Sequence, residues 1–215
     1  MKISSVIFDM DGVIIDSEPH WAKAQIHALA DFDIHITIQT CEQLTRGKRI
    51  DEIASTWIQH FNLPTDTRQL ADKILNHVYQ AILREGQPML GLYELLDFLK
   101  AKHIKTAVAT SSSPKIIQAV FDKLKLWDYF ALQCSAEHEQ FGKPHPAVYL
   151  KTIQKLGVEA KECLVIEDSV IGLIAAKAAG LRTFIVNPDY QNAKFAIADA
   201  QLPTLLDVIK KLEND

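Results

Sequence analysis

Five short apolar runs, Ile3 to Phe8, Lys105 to Ala109, Ala131 to Cys134, Cys163 to Ile166 and Thr183 to Val186, constrain this chain more than any other feature. Each is too short for a buried helix and carries the residues of a strand. The last four follow one another at intervals of about 20 to 30 residues, the length of a simple crossover unit. Helix-like stretches lie between them at Pro114 to Leu124, Pro146 to Leu156 and Val170 to Ala179, the last stopped by Gly180. Strand alternating with helix predicts right-handed crossovers and an α/β fold with a doubly wound, mostly parallel sheet. The first gap is far longer, and it reads as helices over Glu18 to Ala30, Asp51 to His60, Thr67 to Leu83 and Gly91 to Ala101. We therefore expect an inserted α-helical domain at residues 17–86, with 1–16 and 87–215 forming the core. An insertion there overhangs the carboxyl edge of the sheet, where open α/β folds bind ligands, and so makes a candidate lid.

Charge narrows the possible ligands. With 23 basic and 27 acidic residues the chain has a net charge of −4, so no broad basic field exists to hold nucleic acid or an anionic membrane. The three cysteines, Cys41, Cys134 and Cys163, are odd in number and far apart, fitting neither a disulfide framework nor a CxxC metal site. A reducing, cytoplasmic setting is expected. No apolar run reaches the roughly 18 residues of a membrane helix, and MKISSVIFDMDG meets an acid too early for a signal peptide.

Carboxylates gather where strands end. The first run leads into Asp9-Met10-Asp11-Gly12 and the fourth into Glu167-Asp168-Ser169. In a parallel sheet these ends lie on one edge, so four carboxylates converge there. Like charges that close require a divalent cation or a protonated member. All-oxygen ligation suits magnesium rather than zinc, and the Asp9, Asp11, Asp16 spacing lacks the closing Glu of a calcium loop. After the second run, Thr110-Ser111-Ser112-Ser113-Pro114 offers hydroxyls and a helix start to an anion, or else a plain helix cap. After the third comes Lys143, between Gly142 and Pro144. Acids, hydroxyl, lysine and acids at successive strand ends form one ordered site.

With these residues in place, the chain resembles the haloacid dehalogenase superfamily of phosphohydrolases along essentially its whole length. Phe8-Asp9-Met10-Asp11-Gly12-Val13 is similar to the first motif of that superfamily, Thr110-Ser111 to the second, Lys143-Pro144 to the third, and Glu167-Asp168-Ser169 with Gly172 to the fourth. The insertion resembles the small helical cap of the β-phosphoglucomutase-like branch. The segments DSEP, Gly47-Lys48-Arg49-Ile50, KPHPAVYL and EDSVIGLIAAKAAG look nearest to hexitol-phosphate and 2-deoxyglucose-6-phosphate phosphatases. The resemblance implies a Rossmann-like core and a magnesium-dependent phosphatase acting on a small phosphate monoester. It makes Asp9 the nucleophile that forms an aspartyl-phosphate, and Asp11 the acid and base. Asp9, the Asp11 carbonyl and Asp168 are the implied metal ligands, with Glu167 either a ligand or an outer partner. Thr110, Ser111 and Lys143 are the implied phosphate binders.

The core sees only the phosphate, so selectivity falls to the lid. There we expect Arg49, with His20 or Lys48, to bond substrate hydroxyls, while Lys48 also reads as a solvated residue and Trp57 as lid core. Ile14, Ile15 and Leu44 read as packing, and His138 and His145 as surface or supporting residues. A β-phosphoglucomutase-type phosphomutase and a phosphoglycolate phosphatase remain alternatives. A phospho-receiver module is disfavoured by length and by the second Asp, and a dehalogenase by Asp11. Neither nucleic acid nor a membrane is expected as a partner, and the chain should act as a monomer or a weak homo-oligomer.

Overall fold

A computed structural model describes residues 3–214. Six parallel strands form one sheet in the order β3-β2-β1-β4-β5-β6. They are β1 (Ser5–Phe8), β2 (Lys105–Thr110), β3 (Leu132–Ser135), β4 (Cys163–Glu167), β5 (Arg182–Val186) and β6 (Ala200–Leu202). The sixth, three residues long, lies beyond the five expected from sequence. It is too brief to show a period, and its pairing with β5 defines it.

Period-two alternation splits the core into two layers. Val6 and Phe8 of β1 join Val108, Leu164 and Ile166 on one face, against α5 (Leu92–Ala101), α6 (Pro114–Leu124) and α9 (Leu205–Glu213). Ile7 faces the other way with Ala107, Ala109 and Val165, against α7 (Ala147–Leu156) and α8 (Val170–Ala178). Both faces are covered, so the central strands are apolar throughout rather than alternating. The order reverses between β1 and β4, and that switch point puts the ends of these two strands beside an open crevice.

Between β1 and α5 the chain forms α1 (Glu18–Ala30), α2 (Ile38–Leu44), α3 (Ile50–Phe61) and α4 (Thr67–Glu85). Helix α2 escapes a periodicity reading because it is only seven residues long with one buried residue, Cys41; the Thr37 hydroxyl caps it. Trp57 is fully buried among these helices, as its apolar spacing on α3 predicts. The two connections into this helical unit run side by side, with Asp16 N–H donating to the Gln87 carbonyl and Met89 N–H to that of Ile14. Ile14 and Ile15 are wholly buried at this crossing.

Candidate functional site

Asp9 leaves β1 with its N–H on the Ile166 carbonyl of β4, which sets its side chain beside those that follow β4. Asp9, Glu167 and Asp168 are all buried, and one carboxylate oxygen from each falls within 4.8 Å of the others. Lys143 reaches between them: Nζ is 2.7 Å from Asp9 Oδ1, 2.7 Å from Glu167 Oε1 and 3.2 Å from the Ala109 carbonyl. Its ammonium thus ties the ends of β1, β2 and β4 together.

Glu167 is completely enclosed, and all its hydrogen-bonding capacity is in use. Oε1 accepts from Lys143 and from the Tyr149 hydroxyl at 2.8 Å. Oε2 accepts from the backbone N–H groups of Asp168 and Ser169 and from Ser169 Oγ at 2.9, 3.1 and 3.0 Å. Gly172 permits this, because a Cβ there would overlap the Glu167 carboxylate. Gly12 has the same role opposite: it sits at φ +78°, and a Cβ would lie 2.5 Å from Asp168 Oδ2.

The serine run after β2 divides its labour. Ser113 caps α6 by accepting from the Ile116 N–H, so the plain cap reading holds for that residue alone. Ser112 Oγ donates to Asp11 Oδ2 at 2.7 Å. Thr110 Oγ1 accepts the Ser112 N–H at 3.0 Å. Ser111 Oγ is buried with no hydrogen-bond partner among the described residues, the condition of a group that waits for a ligand. Asp11 stands apart from the other three acids. Its Oδ1 accepts from Ser17 Oγ at 2.5 Å and from Trp21 Nε1 at 2.8 Å.

These groups open on a cleft between the sheet edge and the inserted helices. Asp9, Asp11, Thr110, Ser111, Lys143 and Asp168 line one side. On the other, Glu18, Trp21, Ala22 and Gln25 come from α1, and Glu42, Arg46 and Lys48 from α2 and the turn after it. Arg46 Nη2 lies 2.6 Å from Asp168 Oδ2, and its Nε is 3.7 Å from Glu18 Oε1.

Two residues expected to face substrate stand elsewhere. Positions 18, 21, 22 and 25 share one face of α1, and His20 falls on the opposite side, where it is buried. Arg49 is the extended residue that begins α3. Its guanidinium bonds Asp51 and, across the interface, the carbonyls of Ala136 and Glu139 at 3.1 and 2.6 Å. It clamps the inserted helices to the core rather than lining the cleft. Lys48, also read as a solvated residue, does line it, with Nζ 3.3 Å from Thr56 Oγ1. Sequence reasoning passed over Arg46, Ser112, Trp21 and Tyr149 as site residues. The Glu18, Trp21, Gln25 spacing was the available signal for Trp21.

Around the cluster, carboxylates outnumber the paired cations Lys143 and Arg46. Burial pushes the Asp9 carboxyl well above its usual range against the pull of Lys143, and Glu167, Asp168 and Asp11 add to the rise. Burial likewise lifts Asp168 and Glu18 to about 7 each, with Arg46 opposing both. For Glu167 burial is outweighed by Lys143, the Ser169 N–H and the Tyr149 hydroxyl, so it titrates below the ordinary value. Lys143 loses solvation but gains more from Asp9 and Glu167, and remains an ammonium above the ordinary lysine range. Excess negative charge on hard oxygen donors is the chemistry that a divalent cation such as magnesium satisfies, so these residues fit one.

A family model for haloacid dehalogenase-like hydrolases matches residues 3–180. The chain belongs to that family and is an enzyme of the hydrolase class. Among curated proteins it is 34% identical over 215 residues to hexitol phosphatase B of Escherichia coli K12, covering 98% of this chain and 96% of that one. It is 32% identical over 182 residues to the fructose-1-phosphate phosphatase YqaB of the same organism, covering 84% and 94%. Among solved structures, CbbY from Rhodobacter sphaeroides in complex with phosphate superposes with a TM-score of 0.88 at 23% identity, covering 96% of each chain. A β-phosphoglucomutase from Clostridium difficile gives 0.85 at 24%, covering 99% and 97%. These two likenesses establish the fold. Among the described residues no helix is long and apolar enough to cross a membrane.

Proposed function

We propose that this hydrolase is a magnesium-dependent phosphatase of small sugar or hexitol phosphates, and that residues 17–86 act as its cap. The observation that carries the reading is the convergence of Asp9, Asp11, Lys143, Asp168 and the unpartnered Ser111 hydroxyl on one cleft at the switch point of the sheet. The names of the two curated relatives supply the substrate class.

Asp9, the Asp11 carbonyl and Asp168 would hold the cation. Glu167, whose oxygens are fully engaged, fixes Lys143 and the β4 turn from behind. Bound magnesium offsets the charge of the phosphate dianion. Ser111, Thr110 and Lys143 hold the phosphoryl oxygens, and the phosphate seats beside Asp9. An Asp9 oxygen attacks phosphorus, the bond to the sugar oxygen breaks, and Asp11 gives that oxygen its proton. Asp11 then accepts a proton from water as the water oxygen attacks the aspartyl-phosphate. The Asp9–phosphorus bond breaks, leaving inorganic phosphate and a free carboxylate. Positioning and charge stabilisation carry most of such a reaction.

Hydrolysis rather than phosphomutase chemistry is supported by the cap wall. Arg49 is consumed by Asp51 and two carbonyls, and Arg46 and Lys48 alternate with Glu18 and Glu42. A mixed-charge wall suits hydroxyls better than a second dianion. The test is phosphate release from hexitol, hexose, deoxyhexose and glycolate phosphates in magnesium, with and without chelator, ranked by kcat/KM. Sugar or hexitol phosphates should lead, and release should stop with chelator. Turnover of phosphoglycolate alone would overturn the substrate class. Isomerised sugar phosphate from glucose 1-phosphate with a bisphosphate primer would overturn hydrolysis.

A further inference from the structure

Asp11 receives hydrogen bonds from three side chains, and one of these donors differs from the others. Ser17 and Ser112 carry hydroxyls, which can donate or accept as the hydroxyl turns. The indole N–H of Trp21 can only donate. It lies 2.8 Å from Asp11 Oδ1, the oxygen that Ser17 also bonds, so Oδ1 always accepts one fixed donor whichever way the Ser17 hydroxyl turns, and a proton is favoured on Oδ2. Ser112 alone engages Oδ2, at 2.7 Å, and this bond can reverse. Trp21 also sits on α1, in the cap, whereas Asp11 and Ser112 belong to the core.

We propose that Trp21 is a positioning residue for Asp11: its N–H fixes the plane of the carboxyl group and favours the transferable proton on Oδ2, so that docking of the cap completes the acid. The inference rests on the phosphatase reading above and specifies how one of its groups is aimed. When the sugar oxygen leaves, the proton passes from Asp11 Oδ2 to it, and Oδ1 keeps its bonds to Trp21 and Ser17 throughout. The benefit appears only where the leaving oxygen is too basic to depart unaided.

Leaving-group dependence therefore tests it. Trp21→Phe keeps the ring in the cleft wall and removes the N–H. In the full chain with magnesium, kcat/KM should fall tenfold or more for a hexitol phosphate and less than threefold for p-nitrophenyl phosphate, whose leaving group needs no proton. The parameter kcat/KM reports formation of the aspartyl-phosphate, so later dephosphorylation does not blur the contrast. Replacing Trp21 by β-(3-benzothienyl)alanine, in which sulfur takes the place of the N–H in an isosteric ring, should shift the ratio the same way and covers the case in which the Phe variant folds poorly. Equal losses with both substrates, or no loss with either, would overturn the role of Trp21. If wild-type protein released no phosphate from any sugar phosphate, the phosphatase reading itself would fall, a result distinct from an unchanged ratio in an active enzyme.

Discussion

The sheet edge and the cap wall face each other across one cleft, yet they hold their polar groups in opposite ways. At the edge, Lys143 and Glu167 are almost sealed from water, with side-chain exposures of 2% and 0%, and every oxygen of Glu167 is bonded. On the cap wall the Arg46 side chain is 31% exposed and tied to the edge by one short bond, Nη2 to Asp168, while its Nε has no hydrogen-bond partner and Lys48 has a single long bond to Thr56. The edge is over-determined, as the proposed reaction at phosphorus would require. The wall is less fully bonded, which leaves Arg46 Nε and the Lys48 ammonium with donor capacity for the hydroxyls of the proposed substrate. On the proposed function, chemistry and selectivity would thus fall to parts whose polar groups are bonded to different degrees.

The contrast is broken most severely at Asp9. Asp9→Asn removes the proposed nucleophile yet leaves a group that Lys143 can still bond, so phosphate release should fall at least about a thousandfold while circular dichroism stays unchanged. Wild-type-like hydrolysis by this variant would take Asp9 out of the reaction. Lys143→Met asks whether the edge is as tightly determined as its geometry implies. It strands Asp9 and Glu167 in a buried site without their shared cation, and removing one partner of a buried pair costs about 3–5 kcal/mol. Urea denaturation should show that loss; a midpoint equal to that of wild type would mean that the site relaxes freely.

The same contrast explains what could be read without coordinates. Strand ends are local features: once β1, β2 and β4 are parallel neighbours, Asp9, Thr110 and Glu167 must emerge together, and the first five strands follow from short apolar runs. Arg46 and Arg49 are three residues apart in one basic turn, and nothing local says which of them points at the cleft. That is decided by where α3 begins, because the extended backbone of Arg49 turns its guanidinium towards the loop after β3. That His20 does not line the cleft has a similar reason. Adjacent positions on α1 face different ways, and Trp21 rather than His20 shares the face of Glu18 and Gln25. Helix β-strand identity is a property of a few residues, while helix rotation is a property of the packing.

Exchanging the two arginines sharpens the point. Arg46→Met removes a charge-assisted bond inside the cleft, worth about 2 kcal/mol, and should lower kcat/KM for a hexitol phosphate about thirtyfold. Arg49→Met should lower it no more than about threefold, and should instead cost about 1–2 kcal/mol in stability through the lost bonds to Ala136 and Glu139. The reverse ranking in steady-state kinetics would restore Arg49 as the substrate-facing residue.

The smallest effect is a pH dependence at the seam between the two regions. Asp168 on the edge and Glu18 on the cap each titrate at about 7, lifted chiefly by burial against the opposition of Arg46, whereas in an unfolded chain they titrate near 4. Between those limits the folded protein binds more protons than the unfolded one, so these two groups make stability fall as pH rises from about 4 to about 7 and add no further slope above that. A divalent cation held at the proposed site would bind the ionised Asp168, so protonation of that group alone should weaken its hold by at most a factor of ten for each pH unit below 7, or about 1.4 kcal/mol. Melting curves in chelator should therefore drop between pH 5.5 and 7.5, and millimolar magnesium should oppose the drop, with the gap between the curves widening by a few degrees towards pH 7.5. The gap is the informative quantity, because ionisations remote from the cation contribute equally to both curves and cancel. A gap that stayed constant across this range would separate Asp168 from the cation and leave its partnership with Arg46 as a purely structural tie between edge and cap.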